Sequence, residues 1–315
     1  MSKKTASVTI FLIVSLVMVI IVLFLPITTN EEKPSENLAT AVNRLVSSKP
    51  DPPRQVSLIF GGDVMLGRTV MTKSLDINDY LYPFRLVADT LKEADIAFVN
   101  LENPFVDGCR RDYNSMVFCA LPEMADGLAL SGIDVVTLAN NHARNYGQAG
   151  IDKTLEVLAQ KEILATGMGE LVVIEKAKTK FGFLGFEFLS NAPTESDYAT
   201  IRDADKLVDV LVVSPHWGVE YGSPTDAQRE WAKIMVKEGA DLIIGHHPHV
   251  VQENEYINGV PVYYSLGNLV FDQMWSEETR RGMLVKIVYK NKNIDSEESI
   301  DIYMDKWAQP VIKPN

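Results

Sequence analysis

DVLVVSPHWG (209–218) shows a pattern that recurs along the chain: a short apolar run, typical of a buried strand, is followed within a few residues by a histidine. The next apolar run, LIIG (242–245), leads into the histidine-rich segment HHPH (246–249). Near the start of the globular region, VSLIF (56–60) breaks at a glycine pair that precedes Asp63. Each of these predicted strands therefore delivers a chemically useful side chain at its carboxyl end.

Two further predicted strands repeat the pattern. IAFVNLENP (96–104) places Asn100 and Glu102 at a strand end, and VVTLANNH (135–142) places Asn140, Asn141 and His142 at another. All five histidines lie one to four residues beyond a predicted strand. Ligand sites of open α/β sheets form at the carboxyl ends of strands, so the sequence predicts one shared site there.

Helical patterns separate the strands. They occur at 83–93, 122–132, 147–161 and 226–239, whereas the chain after residue 260 reads mostly as strands. Strand–helix alternation followed by strand-rich sequence predicts an α/β domain with a mixed sheet or two stacked sheets.

Composition excludes several classes of protein. The 315 residues carry 30 Lys+Arg against 42 Asp+Glu, a net charge of −12, which argues against nucleic acid as a partner. Two cysteines exclude a disulfide-dense scaffold and a zinc site of four thiolates. The length fits one large domain or two small ones.

The N-terminus carries a long uncharged stretch, VTIFLIVSLVMVIIVLFL (8–25), preceded by Lys3 and Lys4. Its length of about 27 Å approaches that of a bilayer core, and the flanking lysines favour a cytoplasmic N-terminus. A cleavable signal peptide is the alternative, although its apolar core is usually shorter.

We therefore predict a single-pass protein of the cell membrane with an extracytoplasmic C-terminal domain. The predicted parts are a cytoplasmic tail, a transmembrane anchor, a flexible tether and one globular domain, at 1–7, 8–27, 28–54 and 55–315.

The ligand types at the strand ends indicate a metal. Carboxylate, amide oxygen and imidazole without thiolate suit divalent ions such as Mn, Fe or Zn, and more than four candidates suggest two ions rather than one. Structural roles remain open for most of them, since Asp63 and Glu102 could form turns, Asn141 could cap a helix and His216 could be a buried imidazole. The HHPH segment is hardest to explain structurally, because Pro248 prevents a helix there.

Six motifs occur in order between residues 58 and 271: GGDVMLGR (61–68), NLENP (100–104), LANNHARNYGQAG (138–150), SPHWGVEY (214–221), GADLIIGHHPHVVQ (239–252) and YSLGN (264–268). Together they resemble the CapA family, which is associated with capsule poly-γ-glutamate synthesis. The domain of that family is similar to calcineurin-like metallophosphoesterases. The resemblance implies a four-layer α/β/β/α sandwich around paired sheets.

The resemblance also implies roles for individual residues. Asp63 and His249 would hold one ion. The other ion would be held by Asn141, His216 and His247. Glu102 would bridge the two ions. His142 would be the general acid or the group that steadies developing charge. The candidate substrate-binding residues, which lie in the same motifs, are Arg68, Asn100 and Asn268.

The sequence departs from these relatives at three places. Met65 stands where the phosphoesterases usually have a histidine, and NLE (100–102) stands where they usually have Gly-Asp. In the NHxxDxG stretch typical of CapA relatives, the aspartate position is Asn145. One ion would therefore lack a ligand.

Two local predictions concern the cysteines and the HHPH segment. In the oxidising compartment implied by export, Cys109 and Cys119 would close a hairpin as a disulfide, with two free buried thiols as the alternative.

Pro248 would keep His247 extended, so that His247 and His249 point to one side and His246 to the other.

Three functional hypotheses follow. The first is a CapA-like protein with one or two divalent ions that serves synthesis, assembly or export of an anionic surface polymer, with membrane-bound polymer synthase components as partners. The second is a metal-dependent phosphoesterase of another cell-envelope substrate. The third is a non-catalytic binding subunit on the same scaffold.

Overall fold

The computed structural model describes residues 55–313, in which strands and helices alternate along the chain. The strands are β1 (Gln55–Val64), β2 (Ile96–Leu101), β3 (Val135–Thr137), β4 (Leu164–Thr166), β5 (Val172–Lys176), β6 (Thr179–Glu187), β7 (Val210–His216), β8 (Leu242–Ile244), β9 (Asn254–Ile257), β10 (Val260–Tyr263), β11 (Asn268–Val270), β12 (Arg281–Lys290), β13 (Asn293–Lys306) and β14 (Gln309–Ile312). The α-helices are α1 (Arg68–Asp76), α2 (Ala88–Lys92), α3 (Ala125–Leu130), α4 (Gly147–Gln160), α5 (Glu195–Asp205), α6 (Asp226–Lys237) and α7 (Glu277–Arg280).

The strands form two sheets. The larger has the order β14-β13-β12-β1-β2-β3-β4, with β11 also paired to β1, and the smaller has the order β5-β6-β7-β8-β10-β9. Strands β1 to β4 are parallel to one another, as are β6, β7, β8 and β10. The strands that flank these groups are antiparallel to them, since β12 pairs with β1, β5 with β6 and β9 with β10 in that way. The structure therefore confirms the mixed α/β class with two sheets.

Buried side chains connect the sheets to each other and to the helices. One hydrophobic cluster contains residues of both sheets, including Phe98 and Phe183, whose rings stack with their centroids 5.7 Å apart. A second cluster joins the larger sheet to α1, α2, α3 and α4, and a third joins the smaller sheet to α5 and α6. Consecutive residues of β1, such as Ile59 and Phe60, belong to different clusters, because successive side chains of a strand point to opposite faces of the sheet.

A β-bulge in β1 sets the position of Asp63. Phe60 pairs with Phe98 and Asp63 pairs with Asn100, so three steps along β1 match two steps along β2. The strand thus continues through Gly61 and Gly62, contrary to the predicted break at this glycine pair. Bulges re-aim side chains beside functional sites, and this one places Asp63 directly opposite Asn100.

The predicted helix at 83–93 is shorter than expected. Only Ala88–Lys92 forms α2, and the preceding residues 80–87 form turns. The predicted helix at 147–161 agrees with α4 to within one residue.

The predicted location in a cell membrane is contradicted. Within residues 55–313, no helix has both the length and the apolar character that crossing a bilayer requires. The longest helix of this described range, α4, has 14 residues, which corresponds to about 21 Å and is too short for a bilayer core of about 30 Å. The predicted tail, anchor and tether at 1–7, 8–27 and 28–54 lie outside the described residues.

The close approach of β1 to β11 gives the first testable prediction. A Cβ atom at Gly62 would lie 1.9 Å from the carbonyl oxygen of Gly267, which accepts the Asp63 N–H at 2.9 Å. We expect Gly62→Ala to lower the free energy of unfolding by about 3 kcal/mol, since backbone must move to relieve the overlap.

Gly222→Ala is the matched control, because its added Cβ would meet nothing closer than 3.4 Å. Its stability should stay within about 1 kcal/mol of the wild type. Urea denaturation measures both variants, and equal stabilities would contradict the close approach.

Candidate functional site

The carboxyl ends of parallel strands from both sheets meet at one place. Asp63 and Asn100 come from β1 and β2, and His216 ends β7 in the other sheet. The loop after β8 contributes His246, which forms an isolated parallel bridge with His216. The predicted convergence of strand ends therefore brings side chains from separate parts of the sequence together.

Asn100 lies at the centre of this cluster and is fully buried. Its Nδ2 donates hydrogen bonds to Asp63 Oδ1 at 2.8 Å and to Glu102 Oε1 at 2.9 Å. Its Oδ1 accepts a hydrogen bond from Asn140 Nδ2 at 3.1 Å. With both ends of its amide engaged, Asn100 holds the two carboxylates in place.

The two carboxylates differ in their surroundings, although both are fully buried. Burial alone would raise the pKa of Asp63, but His246 and His249 beside it hold that pKa well below its ordinary value. Burial and the charge of Asp63 raise the pKa of Glu102 well above its ordinary value. Glu102 Oε2 has no hydrogen-bond partner among the described residues. A buried, unpartnered carboxylate oxygen beside a second carboxylate is suited to a cation.

His249 contacts both carboxylates. Its Nδ1 lies 3.1 Å from Asp63 Oδ2, and its Nε2 lies 3.9 Å from Glu102 Oε2. Burial alone would lower the pKa of this imidazole, but Glu102 and Asp63 raise it to about 9. The same Nδ1 is 3.1 Å from Asn268 Oδ1. The amide nitrogen of Asn268 donates to the His249 carbonyl, Gln273 and the Thr279 carbonyl, so this residue positions the histidine loop.

A second group of possible ligands includes a residue that the sequence did not predict. Ligand atoms of Glu220, His247 and His249 lie within 4.8 Å of one another, as do those of Asp63, Glu102 and His249. Glu220 is exposed, whereas the other four are buried. Its sequence signal is its position four residues after the His216 strand end, in SPHWGVEY.

His216 and Asn141 form a further part of the cluster. His216 Nε2 lies 3.1 Å from Asn141 Oδ1, and the His216 and His247 ring centroids are 4.9 Å apart. Burial and the neighbouring His247 lower the pKa of His216 well below its ordinary value, which keeps the ring neutral. Burial and His249 likewise lower the pKa of His247 to about 4. Neutral imidazoles are the form that binds a metal.

The predicted extended conformation of the HHPH segment is wrong. His247 has φ +99° and His249 has φ +58°, so the chain turns at both residues. His246 does not point away from the site, since its Nδ1 lies 3.2 Å from Asp63 Oδ1. The His247 backbone N–H donates to Asp63 Oδ2 at 3.3 Å, and this contact favours a curled loop over the extended path.

His142 lies beside the cluster in a defined orientation. Its ring stacks on Phe118 with the centroids 3.8 Å apart, and its Nδ1 lies 3.1 Å from Asn145 Oδ1. That oxygen also accepts the Phe118 backbone N–H at 2.6 Å, which fixes it as the acceptor. Nδ1 therefore carries the proton, and Nε2 of the neutral ring is an acceptor. Burial lowers the pKa of His142, and the hydrogen bond with Asn145 opposes this only in part.

Arg68 and the disulfide loop flank His142. Arg68 forms an ion pair with Asp272, with Nε 3.1 Å from Oδ2, and its guanidinium lies 4.8 Å from the centroid of the Phe118 ring. Cys109 and Cys119, the two cysteines that the sequence analysis pairs, are bonded and close the loop that carries Phe118.

Met65 is fully buried in the hydrophobic cluster beside the larger sheet. It contributes no ligand atom of a type that hard or borderline ions prefer. The other donors fit a divalent ion, because buried carboxylate oxygens and neutral imidazole nitrogens converge. Two of these atoms, His247 Nδ1 and Glu102 Oε2, have no hydrogen-bond partner among the described residues.

Comparison with known proteins shows similarity over most of the chain. Residues 57–273 match the family described as "Bacterial capsule synthesis protein PGA_cap". The "PGA biosynthesis protein CapA" of Bacillus subtilis (strain 168) is 33% identical over 258 residues, which cover 73% of this chain and 67% of that protein. The "Capsule biosynthesis protein CapA" of Bacillus anthracis is 31% identical over 283 residues, covering 79% and 68%.

A solved structure shares the fold. The crystal structure of a hypothetical protein from Thermus thermophilus covers 82% of this chain and 100% of its own, with a TM-score of 0.53 and 13% sequence identity. At that identity, the likeness concerns the fold alone.

The central role of Asn100 gives a prediction for the site. Asn100→Asp would replace a shared amide donor by a third buried carboxyl group, and we expect it to lower the free energy of unfolding in the presence of a chelator by about 3 kcal/mol. Asn191→Asp, at an exposed loop position, is the control and should change stability by less than about 0.5 kcal/mol. Chemical denaturation measures both, and an unchanged Asn100→Asp protein would contradict the assigned role.

Proposed function

The chain belongs to the bacterial capsule synthesis protein family PGA_cap, and from that premise we propose that it serves the synthesis, assembly or export of an anionic capsule polymer such as poly-γ-glutamate through a divalent-metal site. Membership confirms the resemblance to the CapA family drawn from the six motifs. The observation that carries the metal site is the buried contact between Asp63, Glu102 and His249. The polymer and the components of its synthase are the proposed partners.

Electrostatics support a cation at this place. Two buried carboxylates repel each other, and burial disfavours the charge of each. Without a cation, burial and the charge of Asp63 raise the pKa of Glu102 well above its ordinary value, which shows that the site disfavours two negative charges. A divalent ion would remove both penalties, since it neutralises the pair and uses the unpartnered Glu102 Oε2.

The residues that would hold the ions are the two groups that share His249. Asp63, Glu102 and His249 would hold one ion, and Glu220, His247 and His249 border the position of a second, with His216 and Asn141 adjacent. An ion bound there would supply Lewis-acid polarisation of a carbonyl or phosphoryl oxygen. His142 would hold or accept a proton at Nε2, because Asn145 fixes the other nitrogen as the donor. Arg68 would orient an anionic group of the substrate.

A second candidate function is a binding subunit without turnover. It is favoured by Met65, which occupies the sequence position at which phosphoesterases usually have a histidine. The Met65 side chain lies in the hydrophobic core and offers no such ligand. His246 brings an imidazole to Asp63 from another loop, which favours a working site instead. A panel of phosphoester and γ-glutamyl substrates, offered to the metal-loaded full chain, decides between hydrolysis of either bond and binding alone.

We also propose the finer architecture that the resemblance implies, a four-layer α/β/β/α sandwich similar to the metallo-dependent phosphatases. The three hydrophobic clusters support it, since one lies between the sheets and each of the others joins a sheet to its own helices.

Metal titration tests the proposed site. We expect Mn²⁺ or Zn²⁺ to raise the melting temperature of the chelator-treated full chain, because an ion that binds only the folded state stabilises it. His249→Ala should abolish this shift, since His249 belongs to both groups, whereas Glu220→Gln should weaken only one binding step. Glu230→Gln is the control, as its carboxylate pairs with Lys233 on the surface. Wild-type metal content in His249→Ala would overturn the ligand assignment.

The role of His142 has its own test. If His142 transfers a proton, His142→Ala should retain the metal and lower turnover by about 10²–10⁴-fold. Phe181→Ala, which alters a buried aromatic ring near the start of β6, controls for loss of packing. Loss of bound metal in His142→Ala would instead make His142 a ligand, and unchanged turnover would remove it from the chemistry.

A further inference from the structure

A cavity of about 320 Å³ lies beside the candidate site, against the disulfide loop. Arg68 lines it, as do Val117 and Cys119, the residues on either side of Phe118. Phe118 stacks on His142 and lies beneath the Arg68 guanidinium. The cavity is therefore next to the proposed reaction centre and shares Arg68 with it, but its other lining side chains are different. Its volume is near the lower end of ligand pockets, about 300–1,000 Å³, and suits a group of amino-acid size.

The charges that line the cavity are of both signs. Arg68 and Arg110 contribute cations, and Asp107 and Asp112 contribute carboxylates. A site for a simple anion would not place two carboxylates beside its arginines, because like charges repel the ligand. A group that carries both an ammonium and a carboxylate matches the balanced lining.

The guanidinium of Arg68 has donors left for a ligand. Asp272 accepts from Nε and Nη2, which occupies one edge of the fork, and the Ser115 carbonyl accepts weakly from Nη1 at 3.4 Å. The outer edge, formed by Nη1 and Nη2, is the geometry that binds a carboxylate through two parallel hydrogen bonds. Asp272 and Phe118 also hold the guanidinium in place, so a ligand would not have to order it.

Asp112 is oriented in a similar way. Its Oδ1 accepts the backbone N–H groups of Asn114 and Ser115 at 2.8 and 2.9 Å, so the carboxylate is fixed while Oδ2 is outside these bonds. Val106 and Tyr146 add apolar surface to the lining. This surface suits the methylene groups of a short side chain.

We propose that this cavity binds a zwitterionic α-amino-acid group, with the carboxylate on Arg68 and Arg110 and the ammonium on Asp112 and Asp107. The inference rests on the proposed function for the identity of the ligand. In a γ-linked glutamyl chain, the amino-terminal residue keeps both its α-ammonium and its α-carboxylate, whereas every later residue keeps only the carboxylate. The cavity would therefore recognise the amino end of the polymer beside the metal cluster.

Calorimetric titration of the full chain in a chelating buffer tests the proposal without any contribution from metal. The probes are L- or D-glutamate, whichever binds more tightly, and glutarate, which lacks only the amino group. We expect glutamate to bind at least about tenfold more tightly than glutarate, as a charge-assisted pair is lost.

Three variants locate the site. Arg110→Ala should weaken both probes about tenfold, whereas Asp112→Asn should weaken glutamate alone, because the amide keeps the Oδ1 acceptor that holds the turn. Arg111→Ala is the matched control, since this neighbouring arginine pairs with Asp76 and does not line the cavity. It should bind both probes as the wild type does.

Three results would each overturn the proposal. They are equal affinity for the two probes, no saturable glutamate binding in the millimolar range, and the same effect from Arg110→Ala and Arg111→Ala. Failure of the metal titration with glutamate binding intact would remove the metal site and leave the cavity. The reverse result would leave the metal site and remove the cavity.

Discussion

The burial of two carboxylates, Asp63 and Glu102, within reach of one amide is the constraint on which the rest of the site depends. Such a pair is unstable unless donors and positive charge surround it. Asn100 supplies the donors, and the charged form of His249 supplies the positive charge in the absence of an ion. His216 and His247 remain neutral because they are buried beside it. The arrangement therefore has the charge distribution of a cation site.

Backbone geometry makes that arrangement possible. The bulge at Gly61 and Gly62 advances Asp63 by one residue, and the absence of a side chain at Gly62 lets the Gly267 carbonyl approach. Gly245 plays the same part in the other sheet, where a Cβ would lie 2.2 Å from the Tyr264 carbonyl oxygen. Glycine at these positions lets neighbouring strands of the same sheet approach closely at their ends. The site therefore depends on close packing of the backbone as much as on its ligands.

Sequence periodicity predicted which strands deliver polar residues to the site, although it ended β1 too early, because a buried strand must be apolar and polar residues at its end are stable only with partners. It could not predict contacts that arise from loop conformation. The positive φ of His247 depends on its N–H reaching Asp63, a residue 184 positions earlier. Glu220 joins the cluster only because its loop folds back, with Tyr221 N–H donating to the Pro248 carbonyl at 2.8 Å. The internal hydrogen bonds of Asn100 and Asn268, which the sequence analysis gave as candidate substrate-binding residues, likewise depend on contacts between distant segments.

Charge poses a last problem for a protein that is proposed to handle an anionic polymer, since its net charge is −12. Bulk attraction is absent, but exposed charges more than about 10 Å from the polymer are largely screened at physiological salt. Recognition must then come from short-range groups whose orientation is fixed before binding. Arg68 meets this requirement, because Asp272 and Phe118 hold its guanidinium while one edge stays available. A protein with a negative net charge and a few oriented cations would bind the polymer only where those cations contact it. This favours binding at a chain end over adhesion along the chain.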